Sequence, residues 1–229
     1  MIAVLNKLLT SEQTDNYKRD GFVSPVCVLD DKEVADYRAR FEAYESQNGG
    51  WYELSKGQKL YLIQTWAAEL ASHPKVLDGV EDILGPDLMV WGLSLFVKEA
   101  GAPGYVSWHQ DSTYWGLSKP QVATAWIALS PASIQSGCMK MLPGSQTLDQ
   151  RPHQDTLAAD NLLTRGQEID MEIDDADGVF CPLKPGEMSL HHVRTIHASE
   201  PNRGSDRRIG VAIRYRSEEH TSELQSQFR

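Results

Sequence analysis

His109 and Asp111 lie two residues apart in the run from Tyr105 to Trp115. On an extended strand two such side chains leave the same face. An imidazole and a carboxylate converging from one strand end make up two-thirds of the 2-His-1-carboxylate arrangement that holds non-haem Fe(II) with open positions. Three downstream histidines compete for the third place: His191, His192 and His197. His197 opens a turn-rich run, Ala198-Ser199-Glu200-Pro201-Asn202, after which Arg208 starts a return strand. A hairpin closing over that run places Arg208 beside the strand that carries His197. A planar guanidinium grips a carboxylate in bidentate fashion, so Arg208 is assigned to a carboxylate cosubstrate. His191 and His192 read as packing or outer groups. Alternation puts Arg208 and Arg214 on one face and Arg207 on the other. Both Arg207 and Arg214 are expected to be exposed.

The chain carries a second copy of the tripeptide, His153-Gln154-Asp155. The first copy follows a strand-like run and is flanked by Trp108, Tyr114 and Trp115. The second sits behind Pro152 in a polar stretch without periodicity, which reads as loop. The first is therefore taken as the metal site.

The elements that must position these residues come in two groups. Thr10 and Gln13 form a capping box, and Gly21 ends a first helix over 11–20. Residues 22–29 are β-leaning but contain Pro25, which confines them to a sheet edge. Asp30 and Glu33 start a second helix whose buried face is Val34, Tyr37, Phe41 and Tyr44. Further helices are expected over 64–72 and 75–84. Beyond Asp87 short strands follow: 88–97, the His109 strand, 121–129, 138–142, 168–173, 179–181, 187–191 and 209–214. Residues 144–167 read as a long surface loop over the site. Helices first and then many strands predict a mainly β domain, a sandwich or barrel with helices packed outside. A jelly roll brings such distant strand ends together. One domain over 1–215 is expected, with helices across residues 1–86 and a jelly-roll core across residues 87–215.

Composition bounds the partners. The 229 residues carry a formal charge of −10, which argues against a nucleic-acid partner, because phosphate binding needs a basic surface. No apolar run approaches the ~18 residues of a membrane span, and no leader opens the chain. Cys27, Cys138 and Cys181 are odd in number and lack CxxC spacing, as in reduced thiols of a cytoplasmic protein. Residues 216–229 read as translated sequencing adapter, so the natural C-terminus is expected to be missing.

Taken together, Trp108-His109-Gln110-Asp111, Gly137-Cys138-Met139, Pro143-Gly144-Ser145 and His197-Ala198-Ser199-Glu200-Pro201-Asn202 ending at Arg208 resemble the phytanoyl-CoA dioxygenase family. The likeness covers most of residues 9–215. It implies a double-stranded β-helix (jelly roll, cupin-like) with N-terminal helices, and an Fe(II)- and 2-oxoglutarate-dependent dioxygenase that consumes O₂. It implies that His109, Asp111 and His197 bind iron and that Arg208 holds the distal carboxylate of 2-oxoglutarate. Ser199 and Trp126 are placed in the cosubstrate pocket by the same likeness. Family members often have His where this chain has Gln146, a position that is not a ligand. Related halogenases have a small residue where Asp111 stands, so a carboxylate there implies hydroxylation. Tyr114, Trp115 and the 144–167 loop are expected to shape the side facing a small or carrier-bound substrate. Two other readings are an iron dioxygenase of cupin type without 2-oxoglutarate, and a non-catalytic jelly-roll binding module.

Overall fold

The computed structural model describes residues 6–50, 59–114 and 121–217, without the side chain of Tyr114; Trp115 and residues 218–229 lie outside them. Among the described residues helices come first: α1 (Ser11–Asp20), α2 (Asp31–Gln47), α3 (Thr65–Ala71) and α4 (Pro74–Leu84), with strand β1 (Phe22–Cys27) after α1. Local chemistry sets their ends. Thr10 and Asp30 each accept from a backbone N–H three residues on, and Gln13 and Glu33 reach back to complete both capping boxes. Gly21 closes α1 in the left-handed region at φ 85°, and Pro74 occupies the first turn of α4.

The strands follow as β2 (Leu88–Lys98), β3 (Val106–His109), β4 (Val122–Ala128), β5 (Met139–Met141), β6 (His153–Asp155), β7 (Gln167–Ile169), β8 (Val179–Cys181), β9 (Glu187–His192), β10 (His197–Ser199) and β11 (Arg208–Ser217). They form a five-stranded sheet, β1-β9-β4-β11-β2, and a four-stranded sheet, β3-β10-β5-β8, with β6 and β7 as a separate ribbon. Every strand pairing in these sheets is antiparallel. The two sheets face each other as a jelly roll.

Alternation along β11 sorts its side chains between two environments. Ile209, Val211, Ile213 and Tyr215 join Leu93, Val97, Ile127 and Leu190 in a core with Phe41, Trp66, Leu70 and Val80 of the helices. Burying this face is what binds the helical layer to the sheet, and the Tyr215 hydroxyl also donates to the carbonyl of Ala71 at 2.7 Å. The opposite face of β11, with Arg208, Ala212 and Arg214, looks between the sheets. There a smaller cluster of Trp126, Met139, Met141, Cys181 and Ala212 packs. Gly210 lies on this inner face, where a Cβ would come within 1.9 Å of Trp126 Cζ2. Gly210→Ala is therefore expected to lower stability by about 1–3 kcal/mol through overpacking, read as a fall in the thermal midpoint.

Three expectations need correction. Residues 144–167 are not a free loop: β6 pairs with β7, and the latter is held to β3 by the Ser107 hydroxyl, which donates to the Gln167 carbonyl at 2.5 Å. The strand expected over 168–173 is only Gln167–Ile169, because its partner β6 begins at His153, opposite Ile169, directly after Pro152. β10 and β11 are not a hairpin, since they belong to opposite sheets. β11 also runs two residues past 215, with Arg216 and Ser217 paired to Met89 and Leu88. The three cysteines are free. Among the described residues, no helix is long and apolar enough to cross a membrane.

Candidate metal centre

His109 ends β3 and His197 begins β10, and the two are direct cross-strand partners in the four-stranded sheet. That pairing brings their rings to a centroid distance of 4.2 Å. Asp111 lies beyond the strand, at the start of a short 3-10 turn, and not on the same strand face as anticipated. The turn carries its carboxylate back, so that Oδ1 is 3.5 Å from His109 Nε2. One ligand atom from each of His109, Asp111 and His197 lies within 4.8 Å of the others, and all three residues are buried.

Each imidazole is oriented from behind. His109 Nδ1 lies 2.9 Å from the carbonyl of Ser107, and His197 Nδ1 lies 2.9 Å from that of Thr195. A carbonyl oxygen only accepts, so each Nδ1 carries a hydrogen, and in the neutral ring that leaves the Nε2 lone pair for the pocket. Burial, reinforced by the neighbouring histidines, holds His197 well below the usual imidazole range, hence neutral. Burial alone would raise the Asp111 carboxyl, but the nearby His109 ring and the charge of Arg214 outweigh it and hold Asp111 far below the ordinary range. A divalent metal requires imidazoles with a free Nε2 and an ionised carboxylate, and His197 and Asp111 are held in those states. The residues present fit such an ion.

The second tripeptide supports the first without joining it. His153 Nε2 accepts from the backbone N–H of Gln110 at 3.0 Å. Gln110, wholly buried next to His109 and Asp111, donates its amide to the Arg194 carbonyl at 3.0 Å and accepts from the Arg151 N–H at 2.9 Å. Its role is to pin two loops against the turn. Asp155 faces Arg165 at 3.4 Å, away from the cluster.

At the other end of the pocket Arg208 is only 1% exposed. It donates from Nη1 to the Gly137 carbonyl at 2.6 Å, its guanidinium carbon stands 5.1 Å from the Trp126 ring, and Nε has no hydrogen-bond partner. Burial pushes it down to about 10. Trp126 and Ser199 line the same pocket as Arg208, His109, Asp111 and His197. Arg208 reaches it from the facing sheet and not from an adjacent hairpin strand.

Several pocket residues escaped sequence reasoning. Arg214, expected to be exposed, is buried; its Nη1 donates to Ser94 Oγ at 2.7 Å and its Nε lies 4.0 Å from Asp111 Oδ2. Thr124 donates its hydroxyl to the same carboxylate oxygen at 3.3 Å. His191 Nε2 lies 3.9 Å from it, and neither ring nitrogen of His191 has a hydrogen-bond partner. Burial pushes His191 down to about 4. These three are in register across β9, β4 and β11. Alternation put Arg214 on the inner face, but only the pairing of distant strands reveals the row. Arg207, on the helix side, is no surface arginine either: it grips Glu45 at 2.8 and 2.9 Å and Glu99 at 2.6 Å.

A jelly roll that gathers two imidazoles, a carboxylate and a buried arginine in one pocket is the framework of a mononuclear metal oxygenase. The profile of phytanoyl-CoA dioxygenase (PhyH) matches residues 17–210, and the chain belongs to that family. It is 29% identical over 176 residues to the "Probable alpha-ketoglutarate-dependent hypophosphite dioxygenase" of Stutzerimonas stutzeri, covering 75% of this chain and 60% of that protein. Among solved structures it is similar to the apo form of the non-heme monooxygenase ThoJ, with TM-score 0.79, 34% identity, and coverage of 90% of this chain and 77% of that one. The epimerase SnoN, solved with Fe3+, alpha ketoglutarate and nogalamycin RO, gives TM-score 0.71 and 27% identity, covering 90% of this chain and 82% of its own. The chain spans 60%, 57% and 50% of the length of three curated relatives that it matches.

Proposed function

We propose that this chain is an Fe(II)- and 2-oxoglutarate-dependent dioxygenase that uses O₂ to hydroxylate a small or carrier-bound organic substrate. His109, Asp111 and His197 hold the iron. Arg208, with Trp126 behind its guanidinium and Ser199 beside it, receives the distal carboxylate of 2-oxoglutarate. The observation that carries this reading is the buried pair of Nδ1-anchored imidazoles beside an ionised carboxylate, with Arg208 in the same pocket. Iron and the keto acid supply the oxidative chemistry, and the protein supplies orientation and exclusion of water. One atom of O₂ goes to the substrate and the other to succinate, with release of CO₂. Asp111 supports hydroxylation over halogenation, because its carboxylate fills the position that a halogenase leaves to chloride. The relatives named above as alpha-ketoglutarate-dependent, or solved with that keto acid, support the choice of cosubstrate.

The reading also takes residues 1–215 as one oxygenase domain of a cytoplasmic protein, and the residues from 216 onward as foreign to it. Its test is succinate release coupled to O₂ uptake across a panel of small substrates. An iron dioxygenase of cupin type would bind Fe(II) yet consume O₂ without 2-oxoglutarate. A non-catalytic jelly roll would bind no metal in a titration under argon. Within this reading Thr124→Val removes the hydroxyl that meets Asp111 Oδ2. It is expected to weaken metal affinity about 10-fold, the low end for loss of a partner behind a ligand, measured by anaerobic titration with Co(II).

A further inference from the structure

We propose that Lys98 is a positioning residue for the cosubstrate end of the pocket, where it sets the Ser199 hydroxyl and, with Arg208, makes a two-cation cradle that selects keto acids bearing a distal carboxylate. This rests on the proposed function. Lys98 is the last residue of β2, only 2% exposed, and the direct cross-strand partner of Arg208. Like charges facing each other across a strand pair repel, and more so out of water. Among the described residues no carboxylate forms an ion pair with either, and the nearby Glu200 turns only its backbone carbonyl to the ammonium. Burial, then the charge of Arg208, push Lys98 down to about 6. This end of the pocket is thus short of negative charge, which an incoming carboxylate supplies.

Hydrogen-bond polarity defines what Lys98 does there. Its Nζ meets Ser199 Oγ at 2.6 Å, the Ser199 carbonyl at 3.2 Å and the Glu200 carbonyl. With a carboxylate bound beside it Lys98 is held as the ammonium, which has three hydrogens and no lone pair, so these three acceptors use it completely. Ser199 Oγ is then an acceptor toward Lys98, and its own hydrogen is left to donate elsewhere. Ser199 lines the pocket together with Arg208, whose Nε has no partner. A carboxylate placed there receives one hydrogen bond from Ser199 and one from Arg208. Asn202 holds the arrangement by donating to the Lys98 carbonyl at 2.9 Å. A purely structural Lys98 would tie β2 to the loop after β10 and do nothing to ligand choice.

The test compares Lys98→Met with the parent protein, loaded with Ni(II) under argon, by calorimetry with 2-oxoglutarate and with pyruvate, a keto acid without a distal carboxylate. Lys98→Met is expected to weaken 2-oxoglutarate binding by about 10–100-fold, as for loss of a charge-assisted hydrogen bond. The affinities for pyruvate and for Ni(II) itself should stay within about twofold, the scatter left when no contact to the ligand is lost. Equal weakening of both keto acids, or no change in their ratio, overturns the proposal. Should Lys98→Met not fold, Lys98→Gln, which keeps a polar head but no charge, takes its place and must show the same selective loss. A parent protein that binds neither Ni(II) nor 2-oxoglutarate sinks the oxygenase reading itself; one that binds both, with an unchanged ratio in the variant, sinks only the role of Lys98.

Discussion

Exchanging His197 for alanine is expected to abolish tight metal binding and to lower 2-oxoglutarate-dependent O₂ uptake by at least about 1000-fold, beyond the 10–100-fold typical of outer partners. The reason is geometric. His197 faces His109 across the β3–β10 pair and shows its Nε2 to the same space as Asp111. His191 cannot replace it: its ring is 4.8 Å from that of His197, no carbonyl holds its Nδ1, and its Nε2 turns to Asp111. Anaerobic titration with Fe(II) or Co(II) measures the loss directly. Asp155→Asn is the matched control, because Asp155 belongs to the second tripeptide and pairs with Arg165 outside the pocket. Retention of stoichiometric metal by the His197 variant, or loss of it in the Asp155 variant, contradicts the assigned centre.

Arg208→Met should raise the dissociation constant for 2-oxoglutarate by about 100-fold or more, since truncating one partner of a buried charge pair costs about 2–5 kcal/mol. Its effect on the ligand-free protein has the opposite character. Without an anion, Arg208 is a buried cation whose Nε is unpartnered and whose cross-strand neighbour is Lys98. Removing it relieves desolvation and repulsion, at the cost of the hydrogen bond to the Gly137 carbonyl. The ligand-free thermal midpoint is therefore expected to hold or rise, while the gain on adding 2-oxoglutarate disappears. A variant that melts lower but still gains stability from 2-oxoglutarate as the parent does would show that Arg208 serves the fold and not the ligand.

Much of this site was legible in the chain because it rests on short-range rules. Capping boxes at Thr10 and Asp30 mark helix starts through contacts spanning three residues. The alternation of β11 puts Arg208 and Arg214 on one face and Arg207 on the other, as a strand with period two must. Which environment each face meets is another matter. Arg207 is covered by α2 and held by Glu45, and Arg214 is enclosed with Asp111, because both faces of the five-stranded sheet are buried.

By itself the sequence determined the residue types, the helix ends, the strand periodicity and the His109–Asp111 couple, all properties of neighbours along the chain. Only the tertiary structure decided that His109 and His197 are cross-strand partners, and that Arg208 approaches from the opposite sheet. It alone set His191, Thr124 and Arg214 in one row, and put Lys98 against Ser199. The physical reason is that antiparallel register between strands far apart in sequence follows from how two whole sheets bury their faces, and no local pattern encodes that choice.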